Sequence, residues 1–419
     1  MFLSKIVIEN YKLLEKVEIE VEKNTTVIVG KNNSGKTSFV EIMNKVLNGI
    51  PLYFNDYPIK LRKNLYELIT SFLLKEITFD DLKKKIQITS IKLFVDYSDN
   101  GSEDYLGNLA PFIIDIDESN TKALIEICYE FYIDESKFLK LFEAQKQYID
   151  GEQINEKDIQ NIVKGICETT KKIFPQMFKI NYYAVNPNNY NDMINKSLLE
   201  LQNLFPIYFI RAERNLDESE GYVNNYDPFE KILSHVFEKD VKDVKNTFDQ
   251  NIVDLKKIVN DTNLIINSKI KDKMDDLVSK SITFGYPNAD ELKFTAETNV
   301  DISSNLINST KLYYKLPDET ETLPSKNNGL GYKNLIKIEL LLTEFSNSIA
   351  DTSEISIPLL FIEEPESHMH PQLQRKFIEY LNDFVKKISL KNMQIIITTH
   401  SSYIVNSIEL NTIRYALKC

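Results

Sequence analysis

The sequence predicts an α/β protein with a mixed, largely parallel core sheet, an antiparallel β-subdomain and a helical insertion. Three observations carry this prediction. The apolar run TVIVG at residues 26–30 leads into a glycine-containing turn followed by an amphipathic helical pattern. Strand-like runs follow at residues 90–98, 123–133 and 179–185. Between Pro228 and Pro287 there is no proline, and apolar residues recur there at helical spacing.

In chain order, IVIEN and VEIEVE alternate apolar and polar residues and read as two half-buried strands, while TVIVG reads as a buried one. SIKLFVDYS, ALIEICYEFYI and KINYYAV then supply an antiparallel sheet beside the parallel one. The seam Phe237, Val241, Val244, Phe248, Ile252, Leu255 and Val259 marks a long amphipathic helix. NDTN at 260–263 breaks it into a pair that packs into the core or forms an arm on itself or a second subunit. The expected organisation is therefore 1–228, 229–286 and 287–419, the middle segment being the helical insertion.

Composition narrows the function. With 419 residues and 42% hydrophobic side chains, the chain has the means to bury a large core, which excludes intrinsic disorder. No apolar run reaches the eighteen or so residues of a membrane helix, and MFLSKIVIENYK lacks the pattern of a secretory signal, so a cytoplasmic protein without membrane partners is expected. Three scattered cysteines, Cys128, Cys167 and Cys419, offer neither a disulfide framework nor a zinc knuckle. A net charge of −12 excludes a protein that coats nucleic acid over its whole surface, while leaving room for a local basic groove.

The strongest motif is Gly30-Lys-Asn-Asn-Ser-Gly35-Lys36-Thr37, which fits G-x-x-x-x-G-K-[ST]. A strand before it and the helical pattern Phe39, Ile42, Met43, Val46, Leu47 after it supply the right context. Glycines let the amides of Asn32, Asn33, Ser34, Gly35 and Ser38 curl around phosphate oxygens without Cβ interference. Lys36 neutralises the β- and γ-phosphates of ATP, and the Thr37 hydroxyl holds Mg²⁺.

A second site lies far downstream, where the apolar strand IPLLFI ends in Glu363-Glu364-Pro365-Glu366-Ser367-His368-Met369-His370. Glu363 is placed to bind Mg²⁺ directly or through water, and Glu364 to polarise the attacking water as general base. Two other readings stand beside this one: a transition-metal site of Glu366, His368 and His370, or a solvated acidic strand end. Pro371 then opens a helix with an inner face of Leu373, Phe377, Leu381 and Phe384. A third strand, QIIITT, ends at His400, where an ATPase places a sensor for the γ-phosphate. Finally, Gly329 and Gly331 form a turn opening a helix (Leu335, Ile338, Glu339, Leu342), whose amides could grip a γ-phosphate held by a partner subunit.

In this order the motifs resemble the ATP-binding-cassette type of P-loop ATPase, and within it the OLD ("overcoming lysogenization defect") family, to which the ATPases of Gabija-like antiphage systems are similar. GKNNSGKT resembles that family's phosphate loop, NNGLGYKNLI its signature-like turn, FIEEPESHMHPQLQ its carboxylate segment and ITTHSSYIVNS its switch histidine. IVIENYKLLEKVEIEVE, DYLGNLAPFIIDID and FIRAERNLDE extend the likeness over nearly the whole chain. The transporter signature Ser-Gly-Gly-Gln is missing from 326–335, against a transporter subunit.

The resemblance implies a head that dimerises around ATP and Mg²⁺, as a homodimer or higher oligomer, and regulates a nuclease effector acting on DNA. Family members of this kind continue into a TOPRIM nuclease domain, and the sequence stops 19 residues after His400. The expectation is thus an ATPase fragment or an ATPase with a separately encoded effector. By the same resemblance, Tyr11 and Lys12 sit where relatives carry nucleotide-proximal residues, and Arg211 and Arg214 are candidates for a phosphate or interface role. The rival readings are a RecF- or SMC-like repair ATPase, which shares all four motifs, and a slowly hydrolysing ATP-dependent assembly scaffold. A self-contained nuclease would need a second carboxylate cluster for two metals, and the sequence shows none.

Overall fold

A computed structural model describes residues 1–98, 106–114, 120–145, 156–211, 261, 265, 268, 313–315, 322–324, 331, 334, 338, 341, 342, 345, 355–387 and 392–416. The chain divides into two compact units, Met1–Arg214 with Phe345–Cys419, and Asn215–Glu344.

The first unit begins with the strands β1 (Phe2–Tyr11), β2 (Leu14–Glu20) and β3 (Thr25–Val29), then the helices α1 (Lys36–Leu47), α2 (Ile59–Leu73) and α3 (Phe79–Lys85). Strands β4 (Thr89–Asp96) and β5 (Lys122–Phe131) follow, then α4 (Glu135–Leu141) and α5 (Glu156–Met177). β6 (Phe178–Asn186), β7 (Asn189–Lys196), α6 (Leu198–Leu204) and β8 (Ile207–Ile210) complete its first part. In the second unit, β9 (Tyr313–Lys315) and β10 (Thr322–Pro324) pair antiparallel. The predicted helical seam at 237–259 and the break at 260–263 lie outside the described residues, apart from helical Asp261. The first unit resumes with β11 (Leu359–Glu363), α7 (Pro371–Lys387), β12 (Gln394–Thr399), α8 (Ser402–Val405) and β13 (Ile413–Tyr415).

Antiparallel and parallel strands segregate into separate sheets. β2-β1-β4-β5-β6-β7 form the six-stranded antiparallel sheet, and β13-β3-β12-β11-β8 a five-stranded sheet paired in parallel throughout. The parallel strands are wholly apolar over long stretches because both faces are covered: Leu359 to Ile362 and Ile395 to Ile397 are almost entirely buried. Helix α1 covers one face through Phe39, Ile42, Met43, Val46 and Leu47, all buried as their 3.6-residue spacing predicts. Its Phe39 ring meets Phe361 at 6.2 Å, and Phe361 stacks on Phe209 at 4.8 Å. Burying a phenylalanine side chain of this kind is worth about 2–3 kcal/mol.

One buried glutamine joins the two sheets. The Gln394 side chain accepts from the Leu3 amide at 2.7 Å and donates to the Leu3 and Glu22 carbonyls at 2.9 and 2.8 Å. An amide in a dry interior must satisfy its donors and acceptor, so these bonds lock the start of β12 against β1. The ends of the chain are thereby held in one body, and the carboxyl ends of β3, β12 and β11 come side by side. Ligands of open parallel sheets bind outside such ends.

Candidate active site

The phosphate-loop segment is shaped by backbone that other residues rarely adopt. Gly35 has φ 94° and Asn33 φ 63°, and Gly35 caps the N-terminus of α1. Amides turned this way form a concavity at the positive end of the helix dipole. Gly30 is required by close approach: a Cβ there would lie 2.4 Å from Ser34 Oγ and 2.9 Å from the Ala416 carbonyl oxygen. Lys36 is buried and folds back over the loop, donating to the Gly30 and Lys31 carbonyls at 2.8 and 3.0 Å. A cavity of about 200 Å³ opens here, lined by Asn32, Asn33, Gly35, Lys36, Thr37 and Ser38 together with Leu13 and Glu364.

The opposite wall comes from the far end of the chain. β12 lies between β3 and β11, with Thr398 in register with both Ile28 and Glu363. Just past β11 the backbone turns sharply: Glu364 has φ 42° while its amide donates to the Thr398 carbonyl at 2.8 Å. Left-handed backbone at a glutamate costs roughly 1–3 kcal/mol and is held only where its surroundings over-determine it. The turn brings Glu364 Oε1 to 4.0 Å from Lys36 Nζ and 3.8 Å from His400 Nδ1. Glu363, half-buried at the end of β11, is not among the residues lining the cavity. A concave run of amides, a buried lysine, the Thr37 hydroxyl and the Glu364 carboxylate make a donor set of hard oxygens and cationic groups, which fits a triphosphate with Mg²⁺.

The structure also shows contacts that the motifs did not predict. Glu366 is buried, and one of its oxygens accepts from Thr399 Oγ1 and the His400 amide, both at 2.7 Å, and lies 3.1 Å from His400 Nδ1. Buried Gln374 accepts from the Ser401 hydroxyl and donates to the Met369 carbonyl at 2.9 Å. Leu13, between β1 and β2, is 52% exposed and forms part of the cavity wall. A polar residue aligned with a buried face was the available signal for Gln374, which follows the inner-face position Leu373.

Two expectations are corrected. Tyr11 does not face a nucleotide: it is fully buried, with its hydroxyl 3.5 Å from Asp56 Oδ1, and burial beside Asp56 pushes its phenol up. Lys12 pairs instead with Glu41 and, at 3.5 Å, with Asp56, which also meets Lys45 at 3.1 Å. Nor do Glu366, His368 and His370 face one ion, because Glu366 points inward while both histidines are exposed. Among the described residues no group of three or more His, Cys, Asp or Glu side chains could hold a metal. Arg211 is exposed beyond β8, and Arg214 and Gly329 lie outside the described residues. Gly331 is half-buried and helical, and Ile338 and Leu342 beyond it are buried.

A protein-family model described as an AAA ATPase domain matches residues 1–405. The chain belongs to this family. Membership makes the chain an ATPase domain, as the motif order implied. Endonuclease GajA of Bacillus cereus (strain HuB5-5) is 28% identical to this ATPase domain over 403 residues, covering 94% of this chain and 54% of that protein. The chain thus spans about half the length of that curated relative, which accords with the resemblance to OLD-family, Gabija-like ATPases. Among solved structures, the SMC head domain from Thermotoga maritima has a TM-score of 0.38 at 11% identity, covering 99% of this chain and 94% of that one. Stu0660 of Streptococcus thermophilus has a TM-score of 0.41 at 11% identity, covering 98% of this chain and 74% of that one. Among the described residues no helix is long and apolar enough to cross a membrane.

Proposed function

We propose that this ATPase domain is a Mg²⁺-dependent, cytoplasmic head that binds ATP at Gly30–Thr37 and dimerises around it, Gly329 and Gly331 of one copy reaching the γ-phosphate held by the other. Hydrolysis then opens the dimer and switches a DNA-directed nuclease effector in antiphage defence. The observation that carries the reading is the 4.0 Å approach of Glu364 Oε1 to Lys36 Nζ across the phosphate cavity. Residues more than three hundred positions apart meet there, one carrying the charge that holds a phosphate and the other the base that activates water.

In this mechanism the amides of residues 32–36 and the Lys36 ammonium receive the phosphates, Glu364 draws a proton from the attacking water, and His400 steadies the terminal phosphate. Thr37 and Glu363 would hold Mg²⁺, which supplies charge neutralisation of the phosphate oxygens when bound. Contacts to the γ-phosphate favour the closed dimer, and their loss favours the open one. The nuclease link draws on the relative whose printed name is Endonuclease GajA.

Glu364→Gln tests the reading. Retained ATP binding, a turnover fall of about 10²–10⁴-fold and a long-lived ATP-bound dimer in light scattering are expected, whereas Lys36→Ala should abolish binding in calorimetry. Wild-type turnover by Glu364→Gln would remove the general base from the account.

A further inference from the structure

Among the described residues five threonines are buried, and four of them use their hydroxyls. Thr26 Oγ1 accepts from the Glu22 amide at 2.8 Å, while Thr89 and Thr170 donate to the Asn10 and Ile166 carbonyls at 2.7 Å. Thr399 donates to Glu366 at 2.7 Å. Thr398 is the exception: it has no exposure, and its Oγ1 has no hydrogen-bond partner. The preceding β12 residues Ile395, Ile396 and Ile397 are aliphatic, and valine has the shape of threonine without a hydroxyl to bury. An unmet buried hydroxyl destabilises a fold, so its presence at this one position calls for a use outside the bonds of the fold itself.

The position supplies one. Thr398 stands in register between Ile28 of β3 and Glu363 of β11, and its carbonyl accepts from the Glu364 amide at 2.8 Å. Paired residues of a ladder present their side chains to the same face, on strands about 4.8 Å apart, and the faces alternate along each strand. Two residues before Glu363, Phe361 meets Phe39 of α1, so Thr398 and Glu363 both belong to the face that α1 covers. They lie at the end of that face where Glu364 approaches Lys36 and where α1 opens with Lys36 and Thr37. The half-buried Glu363 carboxylate is thus the nearest ionised neighbour on the ladder for a buried hydroxyl that has a proton to give.

We propose that Thr398 is a positioning residue for Glu363: its hydroxyl donates to the Glu363 carboxylate when Mg²⁺ is bound, fixing the orientation in which that carboxylate meets the ion. The inference rests on the reading of Glu363 as a Mg²⁺ residue and adds the group that holds it. Carboxylates that serve a metal are themselves hydrogen-bonded, and loss of such an outer partner weakens metal binding about 10–100-fold. Turning the side chain of either residue about its own bonds makes the contact, with no movement of the paired strands.

Mn²⁺ in place of Mg²⁺ tests this, titrated into the full chain carrying one equivalent of a non-hydrolysable ATP analogue, with the free ion read by electron paramagnetic resonance. Thr398→Val keeps the shape and removes the donor, so half-saturating Mn²⁺ should rise about 10–100-fold. Thr398→Ser keeps the donor and should stay near the wild type. In the absence of metal and nucleotide, the thermal midpoint of Thr398→Val should equal or exceed that of the wild type, because an unmet hydroxyl is gone. A residue needed only for folding would move the midpoint down instead. Glu363→Ala should weaken Mn²⁺ binding by itself, and adding Thr398→Val to it should produce no further shift.

An unchanged Mn²⁺ titration in Thr398→Val would overturn the proposal, as would a Thr398→Ser protein as weak as Thr398→Val. A Thr398→Val protein that melts well below the wild type, or does not fold, would overturn it too, since the hydroxyl would then be engaged within the fold. Additive shifts in the double variant would separate Thr398 from Glu363 with the same result. If Glu363→Ala leaves Mn²⁺ binding unchanged, the metal reading of Glu363 falls and the role of Thr398 falls with it; the variant that stays silent tells the two failures apart.

Discussion

Two regions of the first unit stabilise themselves in opposite ways. Beside the antiparallel sheet, Phe72, Phe79, Phe131 and Phe138 pack with ring centroids 5.3–6.0 Å apart, and Phe142 adds a ring 4.8 Å from Phe138. At the carboxyl mouth of the parallel sheet, by contrast, Asn33, Glu364 and His368 all adopt positive φ. Three of the four buried side-chain polar atoms without a partner among the described residues also belong there, on Ser34, Glu366 and Thr398. The aromatic region gains from dispersion and dry packing, while the mouth keeps backbone strain and unmet hydrogen bonds. The difference teaches that the site is held in shape by its surroundings rather than by its own contacts.

Three substitutions bear on that contrast. Phe138→Ala should cost about 3–5 kcal/mol, seen as a fall in thermal midpoint, while calorimetry on the folded protein returns an unchanged ATP affinity. Weakened ATP binding would show that the two regions are not separable. Gly30→Ala places a Cβ against Ser34 Oγ and the Ala416 carbonyl. It should cost about 1–3 kcal/mol and lower ATP affinity at least tenfold; an unaltered affinity would mean that the loop relaxes freely and is not pre-shaped. Lys75→Gly is the smallest and has the opposite sign. Lys75 sits just after α2 with φ 64°, away from the cavity, and glycine should raise stability by up to about 1 kcal/mol. No change in turnover should accompany it, since its strain, unlike that of Glu364, carries no function.

Much of the fold was legible in the residues themselves. α1 was readable because Phe39, Ile42, Met43, Val46 and Leu47 recur at helical spacing, and β4, β5 and β6 because aliphatic and aromatic residues crowd them. α2 (IKLRKNLYELITSFL) was not singled out, although its buried residues Leu65, Ile69, Phe72 and Leu73 are apolar and fall at helical spacing. β7 escaped because NYNDMINK is almost wholly exposed and becomes a strand through its backbone bonds to β6. β8 is only four residues long, and its pairing with β11 gives it its identity. At the site, Lys36 and Glu364 stood out through their motifs, whereas Glu366 was read only as a candidate metal ligand beside His368 and His370, and its burial against Thr399 and His400 needed the fold.

Sequence alone determined the local pieces: a loop that only glycine permits at Gly30 and Gly35, a helix set by periodicity, strands set by apolar runs, and the order in which the chemical groups occur. Such features depend on neighbours within a few positions, and short-range sterics and solvation decide them. Only the tertiary structure decided which groups meet. Thr398 pairs with both Ile28 and Glu363, Gln394 ties β12 to β1, and Glu366 turns inward to His400 because strands remote in the chain share one sheet. Pairing over such separations carries a loop-closure cost that no local pattern reveals, and the burial of the whole sheet repays it.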